Sequence, residues 1–477
     1  MGGKTIRLLL NLATSVVLGR FYGARFMGVY FLFISVVTLL TVPVELGMHQ
    51  GVLKMASLAE MRKKQGQIRT YLYFAVGSSL LIWLLLTALL FIFQKPLIHN
   101  LFHLRIATGF WIFTISVAVL VMVLFGHYRG IFLGLGRVRE VVLAEFIIQP
   151  LIICLSFTLL TAFTKISLWI VPVVYIFASG LGLFFLLGKQ KKLLPVSRQP
   201  LQWNERKAFL KLSIPFCLTG IINLIMYWTD SLFISYYSST SDVGIYYAAS
   251  RVATFLPFLM VSFNLILPTT IVHMHHDGQP HKMFGMLKKI TQWNLLFSLS
   301  FYSVFIIFRL EIVNFFGSEF ISAQLPLLLL GAAQVFTVAT GPNATVLMMT
   351  GHEQRVFKTS AVTGCTNILL DFILIPWLGI NGAALATGVS LILHNLLLLW
   401  LCRQHLDNSP HAKRSAMLIA SFVGLSLIMV LAYGKMGPLP SLFVLILSVA
   451  FLVWIWLDRN DLKLLRQILM EMSKKAV

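Results

Sequence analysis

Apolar residues in this chain neither alternate nor keep to one helical face. They run together in blocks of about 20 residues, the length an α-helix needs to cross the hydrocarbon of a bilayer. Such blocks fall near 5–19, 27–47, 71–93, 107–131, 141–162, 168–187, 212–234, 244–271, 291–308, 322–349, 359–378, 382–402, 415–434 and 440–457. The pattern predicts an all-α, polytopic membrane protein with about 14 transmembrane helices, since a helix satisfies its own backbone in lipid. The longest connections, 188–211 and 272–290, leave no room for an extramembrane catalytic domain. The first block has no small-residue cleavage site after it, so the N-terminal segment is expected to be retained.

The blocks repeat. "RFMGVYFLFISVVTLL" in the second resembles "SDVGIYYAASRVATFL" in the eighth, with Gly28 falling on Gly244. "GLGRVREVVLAEF" after the fourth resembles "MTGHEQRVFKTSAV" after the tenth, with Gly136 falling on Gly351. The two offsets agree within about one residue, a repeat of six spans. An even number of spans returns the chain to its starting side, so the halves are parallel repeats, a transporter arrangement. This predicts an N-terminal lobe at 1–188, an inter-lobe linker at 189–211, a second lobe at 212–402 and two further helices within 403–457. The tail 458–477, after Trp454 and Trp456, reads as a basic amphipathic helix on the inner surface.

Composition sharpens this picture. Hydrophobic residues make up 58% of the chain and charged ones 11%, which calls for lipid as solvent. A net charge of +22 would suit nucleic acid, but placing both termini in the cytoplasm puts about 30 of the 38 Lys and Arg on inner segments, as the positive-inside rule requires. Nucleic acid is therefore not an expected partner. Cys154, Cys217, Cys365 and Cys402 lie within or at the ends of apolar blocks, and no disulfide is expected. The histidines of "HMHHDGQPH" suit a solvated loop better than a metal site. "GGKT" at the N-terminus lacks the rest of a phosphate loop, so no cofactor is expected and transport would be secondary or driven by potential.

Polar groups inside the blocks carry the candidate chemistry, because a cation at mid-bilayer costs about 2.5–3.5 kcal/mol and persists where it meets water or a partner. Arg251 is the one Lys or Arg that these blocks assign to neither a loop nor a helix end. It lies near the depth of Asp230, so an ion pair and an anion-binding role both stand open. Arg20 and Arg25, between the first two blocks, would sit at the outer mouth, where forked guanidinium groups suit phosphate oxygens. Arg7 would snorkel to the inner interface or face an inward-open phosphate site. Glu45, Glu145 and Asp371, with Asp230, are candidate cation or proton sites. Asn223, Asn264, Gln334 and Asn367 could touch sugars or bond between helices.

The stretches "GRFYGARFMGVYFLFISVVTLLTVPVELGM", "TDSLFISYYSSTSDVGIYYAASRVATFLPF", "NLILPTTI", "VNFFGSEF" and "TNILLDFILIPWLGINGAALATGVS", in this order, carry a resemblance. The chain resembles the polysaccharide transporter (Wzx-like) family of the MOP flippase superfamily, relatives of the lipid II flippase and of multidrug-extrusion transporters. The resemblance implies no enzyme but a flippase that moves a polyprenyl-diphosphate-linked oligosaccharide (O-antigen, capsule or exopolysaccharide unit, lipopolysaccharide precursors included) to the outer leaflet, its lobes alternating around a basic cavity. It implies a bacterial inner membrane, contact with membrane lipids, a coupling cation (H+ or Na+), and work beside a polysaccharide polymerase and ligation machinery. "AASRVATFLP" matches the context of a cavity arginine in the lipid II branch, which places Arg251 on the diphosphate. That branch has an acidic residue where Ser250 stands, and its arginine-rich first helix is only partly echoed by Arg7 and Arg20, which favours an oligosaccharide cargo. The alternatives are a multidrug or cation antiporter, centred on carboxylates, and a lipid II flippase.

Overall fold

The computed structural model describes residues 2–61, 66–103, 108–163, 167–190, 202–263 and 267–406, with scattered positions between 418 and 449. Among these residues the regular structure is helical throughout. The tail 458–477, most of 403–457 with the greater part of the last two expected spans, and 191–201 of the expected linker lie outside the described residues.

Nine runs among the described residues are long and apolar enough to cross a membrane. One of them, Gly3–Glu45, has 43 residues, about 65 Å of helix, twice what one crossing needs. It is divided at Gly23, whose φ of 84° and ψ of 172° leave the helical region, into α1 (Gly2–Val17), a π-helical turn (Leu18–Tyr22) and α2 (Gly23–Glu45). Apolar faces turn outward: Leu81, Leu84, Leu85 and Ile92 are exposed, spaced along one side of a helix as lipid-facing residues would be.

The chain divides into two compact units. The first holds Met1–Ala248 with Phe315–Phe320 and Ile368–Ala383. It is built from α1 and α2, α3 (Met48–Met61), α4 (Gly66–Ile92), α5 (Gln94–Phe102), α6 (Thr108–Gly134), α7 (Val138–Val141), a π-helical stretch at Val142–Ile148, α8 (Gln149–Leu160), α9 (Ile170–Gln190), α10 (Trp203–Tyr237) and most of α11 (Thr240–Ala253). Its core joins Met48, Val52 and Ala56 of α3 to Leu72 and Ala75 of α4, Ile131 of α6 and Phe209 of α10. In α6 the run "GHYRGIFLG" sets Gly126, Gly130 and Gly134 against Glu45, His49 and Leu53, small residues at four-residue spacing letting helices close up in lipid.

The second unit holds Ala249–Asn314, Ile321–Asn367 and Ala384–Val477. Its helices are α12 (Phe258–Phe263), α13 (Leu267–His276), α14 (Pro280–Ile307), α15 (Arg309–Asn314), α16 (Gln324–Thr340), α17 (Asn343–Met349), and large parts of α18 (Glu353–Leu378) and α19 (Ile380–Leu406). Its core gathers Leu267 and Ile271, Met283 and Leu287, Val346 and Leu347, Val356, and Leu398 and Cys402.

Two expected spans are not single helices. Residues 244–271 break after Ala253, with Phe255 and Leu256 N–H bonded back to Val252 and Ala253 carbonyls, because Pro257 has no N–H to continue the ladder. Residues 322–349 break at Gly341 and Pro342, where φ is 80° at the glycine.

The paired glycines of the sequence repeat end helices in the same way. Gly136 and Gly351 have φ of 71° and 85°. The next residue donates back five positions in each case, Arg137 N to Phe132 O at 2.7 Å and His352 N to Leu347 O at 2.8 Å. These are the long bonds of a Schellman turn, which asks for a left-handed residue. Nothing lies within 4 Å of a Cβ built on Gly136, so only its backbone conformation resists a side chain. Gly136→Ala should therefore cost about 1 kcal/mol and Gly136→Asn less, since asparagine enters the left-handed region more readily. Thermal unfolding in detergent checks the order.

Candidate functional site

Arg251 occupies the last turn of α11 rather than the middle of a span. It is half-buried with its Nε buried. Helix C-termini present carbonyl groups and the negative end of the macrodipole, which favours a guanidinium there. The Arg251 carbonyl accepts a bond from Thr254 Oγ1 at 2.7 Å, helping to close the turn.

In the first unit, Asp230 of α10 and Asp371 of α18 are buried, at 6% and 0% exposure. Their carboxyl groups are neighbours. Tyr246 Oη donates to Asp230 Oδ2, while neither Asp371 oxygen is bonded to any other described group. Asn367, one turn earlier on α18, is also buried, and neither its amide oxygen nor its nitrogen has a partner among the described residues. Two ionised carboxylates side by side in a dry interior repel each other and are costly to bury.

Glu45 ends α2 and pairs with His49 at 2.8 Å, seated on Gly126 of the α6 glycine run. The adjacent His127, fully buried, meets Ser79 through Nε2 at 2.9 Å. Sequence reasoning missed His49, His127 and Ser79; the spacing of Gly126, Gly130 and Gly134 was the available signal for the helix contact that gathers them.

Glu145 has partners on two other helices. Arg7 and Arg129 place an Nη1 on the same Oε1, at 3.2 and 3.3 Å. Arg129 looks like a helix-end residue when the block is read as ending near 131, but α6 runs on to Gly134, which draws Arg129 more than a turn inside.

Arg20 and Arg25 are exposed and, among the described residues, without an ion-pair partner. Between them Glu319, of the "VNFFGSEF" loop, accepts the Ala24 N–H at 2.8 Å. Gln334 is half-buried on α16. Asn223 lies in α10, its side chain outside the description, and Asn264 lies outside the described residues. The structure thus gathers Asp230 with Asp371, and Arg7 with Glu145, while Arg20 and Arg25 stand apart from both clusters.

A family model described as "Polysaccharide biosynthesis protein" matches residues 1–271. Among curated proteins, the chain is 30% identical over 175 residues to a probable low-salt glycan biosynthesis flippase, Agl15, of Haloferax volcanii. It is 23% identical over 173 residues to the probable flippase AglR of the same organism. Each match spans 36% of this chain and 36% of the relative. Among solved structures, the lipid II flippase MurJ in an inward closed conformation superposes with a TM-score of 0.73 at 17% identity, over 95% of this chain and 96% of that one. An inward-facing MATE-family multidrug resistance transporter of the MOP superfamily gives 0.69 at 12% identity, over 84% and 94%. These two likenesses establish the polytopic helical fold.

Proposed function

This chain belongs to the polysaccharide biosynthesis protein family, and on that premise we propose that it is a flippase, not an enzyme, that carries a polyprenyl-diphosphate-linked oligosaccharide from the cytoplasmic to the outer leaflet. The observation that carries this reading is Arg251, a half-buried guanidinium in the last turn of α11, where the helix breaks ahead of Pro257. A diphosphate cannot cross hydrocarbon unaided, and a forked cation in a polar cleft meets it while the lipid tail stays in the bilayer. Arg20 and Arg25, exposed and unpaired among the described residues, are proposed to receive the headgroup at the outer mouth. The protein would lie as a multi-pass chain with both termini in the cytoplasm, among membrane lipids. It would deliver its cargo to machinery that polymerises and ligates it. Asn223, Asn264, Gln334 and Asn367 are the proposed sugar contacts.

Asp230 and Asp371 are proposed as the coupling site, binding H+ or Na+ when the cavity faces one side and releasing it when it faces the other. Glu45 and Glu145 are paired with basic groups, which supports a structural or gating part for them. The test is translocation of a fluorescent polyprenyl-diphosphate oligosaccharide in proteoliposomes. Flipping is expected, stimulated by a Na+ or H+ gradient; Asp371→Asn should keep a basal rate and lose the stimulation. The fluorescent lipid staying in place while a cationic dye is expelled would replace this reading with the antiporter, which the buried carboxyl pair also suits.

A further inference from the structure

The cluster around Glu145 is built unlike an ordinary ion pair. Arg7 of α1 and Arg129 of α6 converge on one atom, Oε1, at 3.2 and 3.3 Å. Two guanidinium groups thus share one carboxylate, which leaves an excess positive charge within three helical runs that are each apolar enough to cross a membrane. The side chains of Arg7 and Arg129 remain 42% and 31% exposed, against 15% for Glu145, so the two cations are more accessible than the carboxylate they share. Arg7 has a second contact, its Cζ lying 5.3 Å over the Phe146 ring. Glu145 itself is on the π-helical stretch Val142–Ile148, a wide turn of the kind that proteins keep at functional positions despite its poorer backbone bonding. One turn on, Gln149 Nε2 donates to Ser179 Oγ at 2.9 Å, tying this stretch to α9.

Resting on the flippase reading, we propose that Arg7 and Arg129 form an anion site for a phosphate or diphosphate group, in which Glu145 is the resident counter-ion that the incoming anion displaces. Two forks at one point match the oxygens of a phosphate better than the single carboxylate they hold, because each oxygen can take its own charge-assisted bond. The carboxylate keeps the pair solvated and ordered while no cargo is bound, and its repulsion releases the anion afterwards. Arg129 thereby becomes a binding residue, and Glu145 a positioning residue.

The experiment measures equilibrium binding to the purified full chain by calorimetry, with inorganic diphosphate, geranyl diphosphate and short-chain phosphatidylglycerol as probes. Glu145→Gln, nearly isosteric, should tighten diphosphate binding about tenfold by removing the competing charge, while Arg129→Ala and Arg7→Ala should weaken it about tenfold. Arg129→Lys should fall between, and adding Arg129→Ala to Glu145→Gln should cancel the gain. A preference for geranyl diphosphate over inorganic diphosphate assigns the site to the lipid-linked cargo; equal affinity for both assigns it to free phosphate; a response to phosphatidylglycerol alone assigns it to a bilayer headgroup. Unchanged or weaker diphosphate binding in Glu145→Gln, with unfolding temperatures matching the native protein, would overturn the proposal and leave Glu145 a structural tie. Binding is read without transport, so the two ideas separate. Tightening by Glu145→Gln without any flipping would keep the site and discard the flippase, and flipping with no effect of Glu145→Gln would do the reverse.

Discussion

Arg251→Ala should cut translocation of a polyprenyl-diphosphate oligosaccharide by about ten- to a hundredfold at matched membrane insertion. The estimate follows from losing one or two charge-assisted hydrogen bonds to phosphate, at about 1.5–3 kcal/mol each. Arg251→Lys should retain part of the rate, because an ammonium keeps the charge but lacks the planar fork. Placement of Arg251 in the last turn of α11 makes the substitution a fair test. The helix end already favours a cation, and the turn at Thr254 to Pro257 is held by backbone bonds that an alanine side chain leaves alone. Native rates in Arg251→Ala would remove Arg251 from the cargo path.

The second large effect is expected at Gly28. A Cβ there would fall on the Thr240 carbonyl, and a Cβ at Gly244 on the Ala24 carbonyl. α2 and α11 therefore cross with their backbones in direct contact, and the two glycines that align in the sequence repeat are the ones that permit it. Gly28→Ala must push the helices apart, at a cost of about 1–3 kcal/mol for overpacking. Its unfolding temperature should drop and its transport rate should fall to a small fraction of native. Gly77→Ala and Gly180→Ala, which meet nothing within 4 Å, are the controls and should be near neutral. If Gly28→Ala melts and flips as they do, the close crossing is not a feature of the working protein.

The carboxylates show how far sequence reading reaches. Asp230 and Asp371 are 141 positions apart, and each is visible as an acid in an apolar run, yet their adjacency has no signature in either segment. Glu145 gives no hint of Arg7 and Arg129, because one partner lies on α1 and the other counts as interior only once α6 is seen to extend to Gly134. Helix ends are poorly marked in uniformly apolar sequence, where propensity varies little and the stop comes from a backbone turn such as that at Gly136.

Long apolar runs were enough to determine the solvent and the helical class, since a bilayer leaves a spanning backbone few ways to satisfy its hydrogen bonds, and the ordered motifs beginning with "GRFYGARFMGVY" carried the family likeness. Only the tertiary structure decided where the eighth block breaks, which glycines touch, and which buried charges share a neighbour. Lipid-facing and protein-facing residues are apolar alike in a membrane, so hydrophobicity does not say which face of a helix turns inward, and the pairing of its few polar groups is fixed by packing.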